Sequence, residues 1–228
     1  MANTKETVAP GKLEAKFTAF LGARKRLLLI IAAAIVAAVV ILWIALSVAD
    51  RTANAAQLKI DNLQGSYQEW AFLEDKSTSE AVSAKENLLA GLQELADKGG
   101  SSYPALKATY LLGLVSYEDG AYQDALQAFL RVSEQGKDVY LASLALYNAG
   151  VASEQLGDAT KALEYYQSVY DRFGAQAPES PKALFSVARL HEANNGMDLA
   201  KAVFQQLADE FPASEYAKLA KSRLVVLQ

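Results

Sequence analysis

The stretch GLVSYEDGAYQDALQAFLRV, Gly113 to Val132, returns as GVASEQLGDATKALEYYQSV, Gly150 to Val169, after an interval of 37 residues. Gly113-Leu114 matches Gly150-Val151, Gly120 to Ala125 matches Gly157 to Ala162, and Phe129 to Val132 matches Tyr166 to Val169. A looser third copy follows one residue out of step, with Ala188, Ala200, Phe204, Leu207 and Pro212. A fixed period of this size signals stacked helical repeats. Such repeats bury their apolar faces against one another and leave an extended surface free to hold a partner.

The spacing predicts three helix pairs. They run over about 105–118 and 121–134, 140–156 and 159–173, and 182–194 and 197–210. A last helix over about 214–227 follows Phe211-Pro212, with Ser214 as its N-cap. Gly113 and Gly150 fall in first helices, and Ala125, Ala162 and Ala200 in second helices. Small residues at these sites let two helix backbones approach, while Phe129, Tyr166 or Phe204 fills the space one turn further on. Gly120 and Gly157 suit the tight turn between helices.

This arrangement resembles the tetratricopeptide repeat (TPR) over roughly residues 105–228. The resemblance implies an all-α solenoid that binds other proteins. The usual Trp and Tyr of the first helix are absent, their sites being Thr109 and Ser116, Leu146 and Ser153, and Leu184 and His191. Residues 50–104 read as a linking helix and a diverged leading pair. Leu88, Leu92 and Leu95 precede Ala125, Phe129 and Val132 by the same interval. Leu63, Tyr67, Trp70 and Phe72 are assigned to the helix before them, followed by the polar loop Glu74 to Ser79.

Ahead of the repeats, Leu27 to Ala49 is 23 residues without a charge. A bilayer core about 30 Å thick needs roughly 20 helical residues, so the segment is long enough to span it. Arg24-Lys25-Arg26 precedes the segment directly, which predicts residues 1–26 as a cytoplasmic tail and everything after Asp50 outside. Trp43 falls near the far interface. A cleaved signal peptide is the competing reading, since Ser47-Val48-Ala49 and Ala53-Asn54-Ala55 both offer small residues. However, the 26-residue charged lead and the long apolar run favour an uncleaved anchor. Ala33 and Ala37 have a spacing that can pair helices. In the tail, Leu13, Phe17, Phe20 and Leu21 fall at helical spacing, fitting either a short interfacial helix or a loose segment.

The chain carries net charge −4, of which the first 26 residues contribute +4, leaving −8 on the remainder. An acidic body without a basic stripe excludes nucleic acid as the expected partner. There is no Cys, and His191 is the single His, so thiolate and His-cluster metal sites are excluded. No nucleophile surrounds His191, and Gly99-Gly100 lacks the strand and Lys of a phosphate loop. Asn194 to Asp198 does not match a calcium loop. We expect no enzyme activity, cofactor or metal.

The repeat places twelve residues on the inner helices that line a TPR groove. They are Lys107, Tyr110, Leu114 and Tyr117; Leu144, Tyr147, Val151 and Glu154; and Lys182, Phe185, Arg189 and Glu192. Tyr110, Tyr147 and Phe185 occupy one equivalent site and form an aromatic ladder. It either faces a partner or packs between repeats. TPR domains that clamp a C-terminal carboxylate use Lys, Asn and Arg at such positions, a pattern this chain mostly lacks. An apolar and aromatic groove suits amphipathic helices or unfolded segments.

In layout and length the chain resembles membrane-anchored TPR proteins of bacterial envelopes, and most of all the YfgM-type ancillary subunit of the Sec translocon. That resemblance implies a single-pass protein of the bacterial inner membrane with its repeats in the periplasm. Its implied role is an adaptor or chaperone-like subunit near the export machinery, with translocon subunits, periplasmic chaperones or unfolded exported chains as partners. A scaffold in envelope assembly or cell division is the alternative.

Overall fold

The computed structural model describes residue 11 and residues 19–227. Leu13 and Phe17, expected in either a short interfacial helix or a loose segment, lie outside them. Among the described residues the regular structure is helical throughout: α1 (Lys25–Ala71), α2 (Ser79–Lys98), α3 (Tyr103–Glu118), α4 (Tyr122–Gln135), α5 (Val139–Gln155), α6 (Ala159–Phe173), α7 (Ser180–Ala193), α8 (Met197–Glu210) and α9 (Glu215–Val226). A short 3₁₀ turn, Gly174–Gln176, leads from α6 to α7. The chain divides into two units, Met1–Ala55 and Ala56–Gln228.

In the first unit, α1 is long and apolar enough to cross a membrane. Its large side chains are exposed from Leu27 to Val48, Trp43 at 68%. In the second unit, each helix from α2 onward packs mainly on its neighbours in sequence, and α9 closes against α7 and α8.

Helix ends are set by local chemistry. The side chains of Thr78, Asp138, Asp158 and Ser214 accept hydrogen bonds from the backbone N–H groups of Ala81, Leu141, Lys161 and Tyr216. The turns inside the pairs need a left-handed residue. Gly120 and Gly157 both take φ +76°, and Asn195 at φ 59° serves the third copy, where Gly is lacking. Two helices begin earlier than the spacing predicts, α3 at Tyr103 and α7 at Ser180, because Pro104 and Pro181 sit in their first turns. There a proline forfeits no internal hydrogen bond.

The crossings obey the repeat. A Cβ on Gly113 would lie 2.7 Å from Phe129 Cε1, and one on Gly150 would lie 2.5 Å from Tyr166 Cε1. Both distances are shorter than side chains tolerate. Phe129, Tyr166 and Phe204 are buried at 1%, 1% and 0% exposure, with Ala125, Ala162 and Ala200 beside them.

The leading pair departs from this pattern, and two expectations are corrected. No separate first helix begins after the apolar segment, because α1 runs unbroken to Ala71. Phe72 is not part of it; the residue lies past the helix end and is 86% exposed. Ile60, which the spacing did not single out, takes the core position with Trp70, Leu88 and Leu92. Leu88 stands where the later pairs have a small Ala. Accordingly, α1 and α2 make fewer close backbone contacts than those pairs do.

Gly150→Leu should lower stability by about 1–3 kcal/mol, the usual cost of forcing a large side chain into a packed crossing. The same change at exposed Glu164 should cost less than about 0.5 kcal/mol. Equal melting temperatures for the two variants would refute the close crossing.

Candidate functional site

The candidate residues occupy the first helix of each regular pair: α3 carries Lys107 to Tyr117, α5 carries Leu144 to Glu154, and α7 carries Lys182 to Glu192. Nine of the twelve line three clefts. Lys107, Tyr110, Leu114 and Leu144 line the first, about 310 Å³, together with Tyr67, Tyr103 and Tyr140. Leu114, Tyr117 and Val151 line a small apolar cleft of about 100 Å³ with Phe129 and Asn148. Phe185, Arg189 and Glu192 line a third of about 500 Å³ with Met197, Phe204 and Arg223. Tyr147, Glu154 and Lys182 line none of these clefts.

The ladder rings do not stand free. Each packs on the large ring of its own second helix: Tyr110 on Phe129 at 5.5 Å, Tyr147 on Tyr166 at 5.0 Å, and Phe185 on Phe204 at 5.5 Å between centroids. The second-helix ring therefore does not fill the core alone. Tyr147 is the most enclosed, at 7% exposure, with Lys182 Nζ 4.1 Å from its ring centroid and Ser186 Oγ 3.4 Å from its hydroxyl. Tyr110 and Phe185 are half-buried and keep an edge towards their clefts. By placement, Tyr147 belongs to the core and the outer two rungs to the surface of the groove.

Most charges on this face are paired within the chain; Lys182 makes no ion pair among the described residues and lies over the Tyr147 ring. Lys107 Nζ lies 3.3 Å from Asp61, Arg189 pairs with Glu154 at 2.6 Å, and Arg223 pairs with Glu192. Tyr166 donates its hydroxyl to the same Glu154 at 2.7 Å. Asn148 Nδ2 donates to the Tyr110 hydroxyl at 2.7 Å. Burial raises the pKa of Tyr110, partly countered by that donor, and burial also raises that of Tyr147. Burial and the bond to Glu154 raise that of Tyr166. These phenols stay neutral across the physiological range, so the groove offers hydroxyls and rings beside the Lys182 ammonium.

Several contributors were not legible from the repeat. Asp61 and Tyr67 come from α1, whose register departs from the 37-residue interval, and Arg223 comes from α9, beyond the last pair. Asn148 could have been found: it follows the ladder residue Tyr147 and is a polar residue on an otherwise apolar helix. His191 sits in the last turn of α7. Among the described residues no group of His, Asp or Glu is placed to hold a metal ion.

Comparison with known proteins agrees with this geometry. Family profiles described as tetratricopeptide repeat match residues 89–139, 134–178 and 182–214. A TPR repeat-containing protein of Treponema pallidum is 28% identical over 192 residues, covering 81% of this chain and 72% of that one. The photosystem I assembly protein Ycf3 of Cyanophora paradoxa is 32% identical over 108 residues, covering 44% of this chain and 60% of its own length. Among solved structures, the nearly identical TPR-like repeats of a kinesin light chain from Podosopora anserina superpose with a TM-score of 0.55 at 14% identity. That match covers 77% of this chain and 86% of the other, a likeness of fold alone. With profiles, relatives, ring-on-glycine crossings and positive-φ turns in agreement, the chain belongs to the tetratricopeptide repeat family.

Proposed function

We propose that this protein is a membrane-anchored, extracytoplasmic adaptor or chaperone-like subunit that holds polypeptide partners near the protein-export machinery. The observation that carries the reading is the joint presence of an open repeat groove and an apolar helix whose side chains have no protein cover from Leu27 to Val48. Lipid is the solvent that such a helix suits. The three positive residues before it favour retention of the N-terminus in the cytoplasm of a bacterial inner membrane, with the repeats in the periplasm. Ycf3 is by its name an assembly protein for photosystem I, which supports an assembly role for a related repeat protein.

In the groove, half-buried rings and internally paired charges favour partners with little charge of their own. A Lys on a partner would have to break an existing pair to gain one, and Lys182 alone of the groove cations is left to meet a carboxylate. Apolar segments of unfolded or newly exported chains meet that condition, as does the apolar face of an amphipathic helix.

Protease added to spheroplasts should digest the chain beyond residue 50 and spare the tail. A protected repeat unit would overturn the orientation. A photo-crosslinking residue at Leu114, which lines two of the clefts, should capture export-machinery subunits or exported chains in native membranes. Placed at exposed Gln127 on α4, it should not. The same adducts at both sites would remove the groove from the reading.

Alanine variants separate rung from core. Tyr110→Ala and Phe185→Ala should each weaken capture, by about 2 kcal/mol where the ring is an anchor. Tyr147→Ala should instead destabilise the fold by about 3–5 kcal/mol, the range for large buried rings. A stable Tyr147→Ala protein with impaired capture would reverse these assignments.

A further inference from the structure

We propose that a second copy of this chain docks its C-terminal helix α9 into the cleft between α1 and α2, so that copies associate head to tail. This cleft lies outside the partner groove and has a volume of about 480 Å³. Leu88, at the site where the later pairs have a small Ala, lines it with Leu63 and Trp70. Its floor is apolar, formed by Leu63, Trp70, Ala84 and Leu88. Trp70 is 3% exposed and its indole N–H has no acceptor. Glu69 and Glu80 also line the cleft. Among the described residues, neither takes part in an ion pair. Lys76 and Lys85, over the Trp70 ring, already pair with Glu118 and Asp119, so the two carboxylates of the cleft beside its apolar floor fit a cation-flanked apolar element.

The chain itself carries such an element. On α9, Leu219, Val225 and Val226 are 50%, 69% and 70% exposed, and with Ser222 they form one stripe along the outer face. Buried Ala217 and Ala220 lie on the opposite side, against α8 and α7. Lys218 and Lys221 flank the stripe; Lys218 has only a local partner, Glu215, and Lys221 has none among the described residues. An acid-lined apolar cleft on the first helix pair and a base-flanked apolar helix at the end of the array are complementary in both charge and polarity. Since the two surfaces differ, the contact is heterologous. It leaves an unused cleft on one copy and an unused α9 on the other, so association does not stop at two.

The chain has no cysteine, which makes the test direct. The full-length double variant Glu80→Cys/Lys221→Cys, oxidised in native membranes, should give a disulfide-linked ladder of dimers, trimers and higher species. Each single variant should stay at the wild-type background. Within the double-cysteine protein, Glu69→Lys should reduce the ladder several-fold, and adding Lys218→Glu should restore it. Circular dichroism of each variant confirms that the helices are intact. Absence of a ladder in a folded double-cysteine protein would overturn the proposal. A dimer formed by Glu80→Cys alone would overturn it in favour of cleft-to-cleft pairing. Partner capture at Leu114 is read separately, so failure of either idea leaves the other standing.

Discussion

The repeat array depends on one contact, a ring seated on a helix backbone where no side chain stands in the way. Tyr166 lies against Gly150 and Phe129 against Gly113, each so close that a single added methyl group would collide with the ring. This contact sets the separation of the two helices in a pair. That separation in turn decides which residues of the first helix look inward and which look out over the groove. Dense packing is what gives the position its leverage, since an interior without voids passes a local displacement on to its neighbours.

The same contact explains why some of the structure was legible in the sequence and some was not. Gly113, Gly150, Ala125 and Ala162 announce themselves because a small residue at a fixed interval has few other reasons to recur. The helix pairs followed from them to within a residue or two, the early starts at Tyr103 and Ser180 being the work of Pro104 and Pro181. Spacing does not say whether two rings on facing helices touch. Tyr147 and Tyr166 occupy separate repeat positions, yet they share one volume, and only the folded geometry shows that Tyr147 is enclosed. Phe72 failed for a different reason: it continues an apolar series by one step, but the helix has already ended at Ala71.

Electrostatics in the groove follow from helices outside the periodic pattern. Asp61 on α1 neutralises Lys107, and Arg223 on α9 neutralises Glu192, so the irregular ends of the array settle the charge of its regular middle. Arg189 and Glu154 complete the set from adjacent pairs. Such partly exposed pairs contribute little to stability, commonly under about 1 kcal/mol. Their effect is on selection, because each pair withdraws a charge that could otherwise recruit an ionic partner. What is left for recognition, Lys182 apart, is apolar surface and neutral hydroxyls, which discriminate by shape and desolvation more than by charge.

Departures from the repeat are as informative as adherence to it. Ala188 replaces the usual glycine in the third pair and is still fully buried beside Phe204, so a methyl group fits where the interval has shifted by one residue. Leu88 in the leading pair is a larger departure: it is buried with Ile60, Trp70 and Leu92, and a cleft lies beside it between α1 and α2. Terminal repeats commonly become polar on their free face to meet water. Here the first pair keeps Leu63 and Leu73 at its cleft, and α9 keeps Leu219, Val225 and Val226 exposed. The cleft of the first pair and the exposed stripe of α9, with opposite charge beside them, are the surfaces that the proposed contact between copies uses.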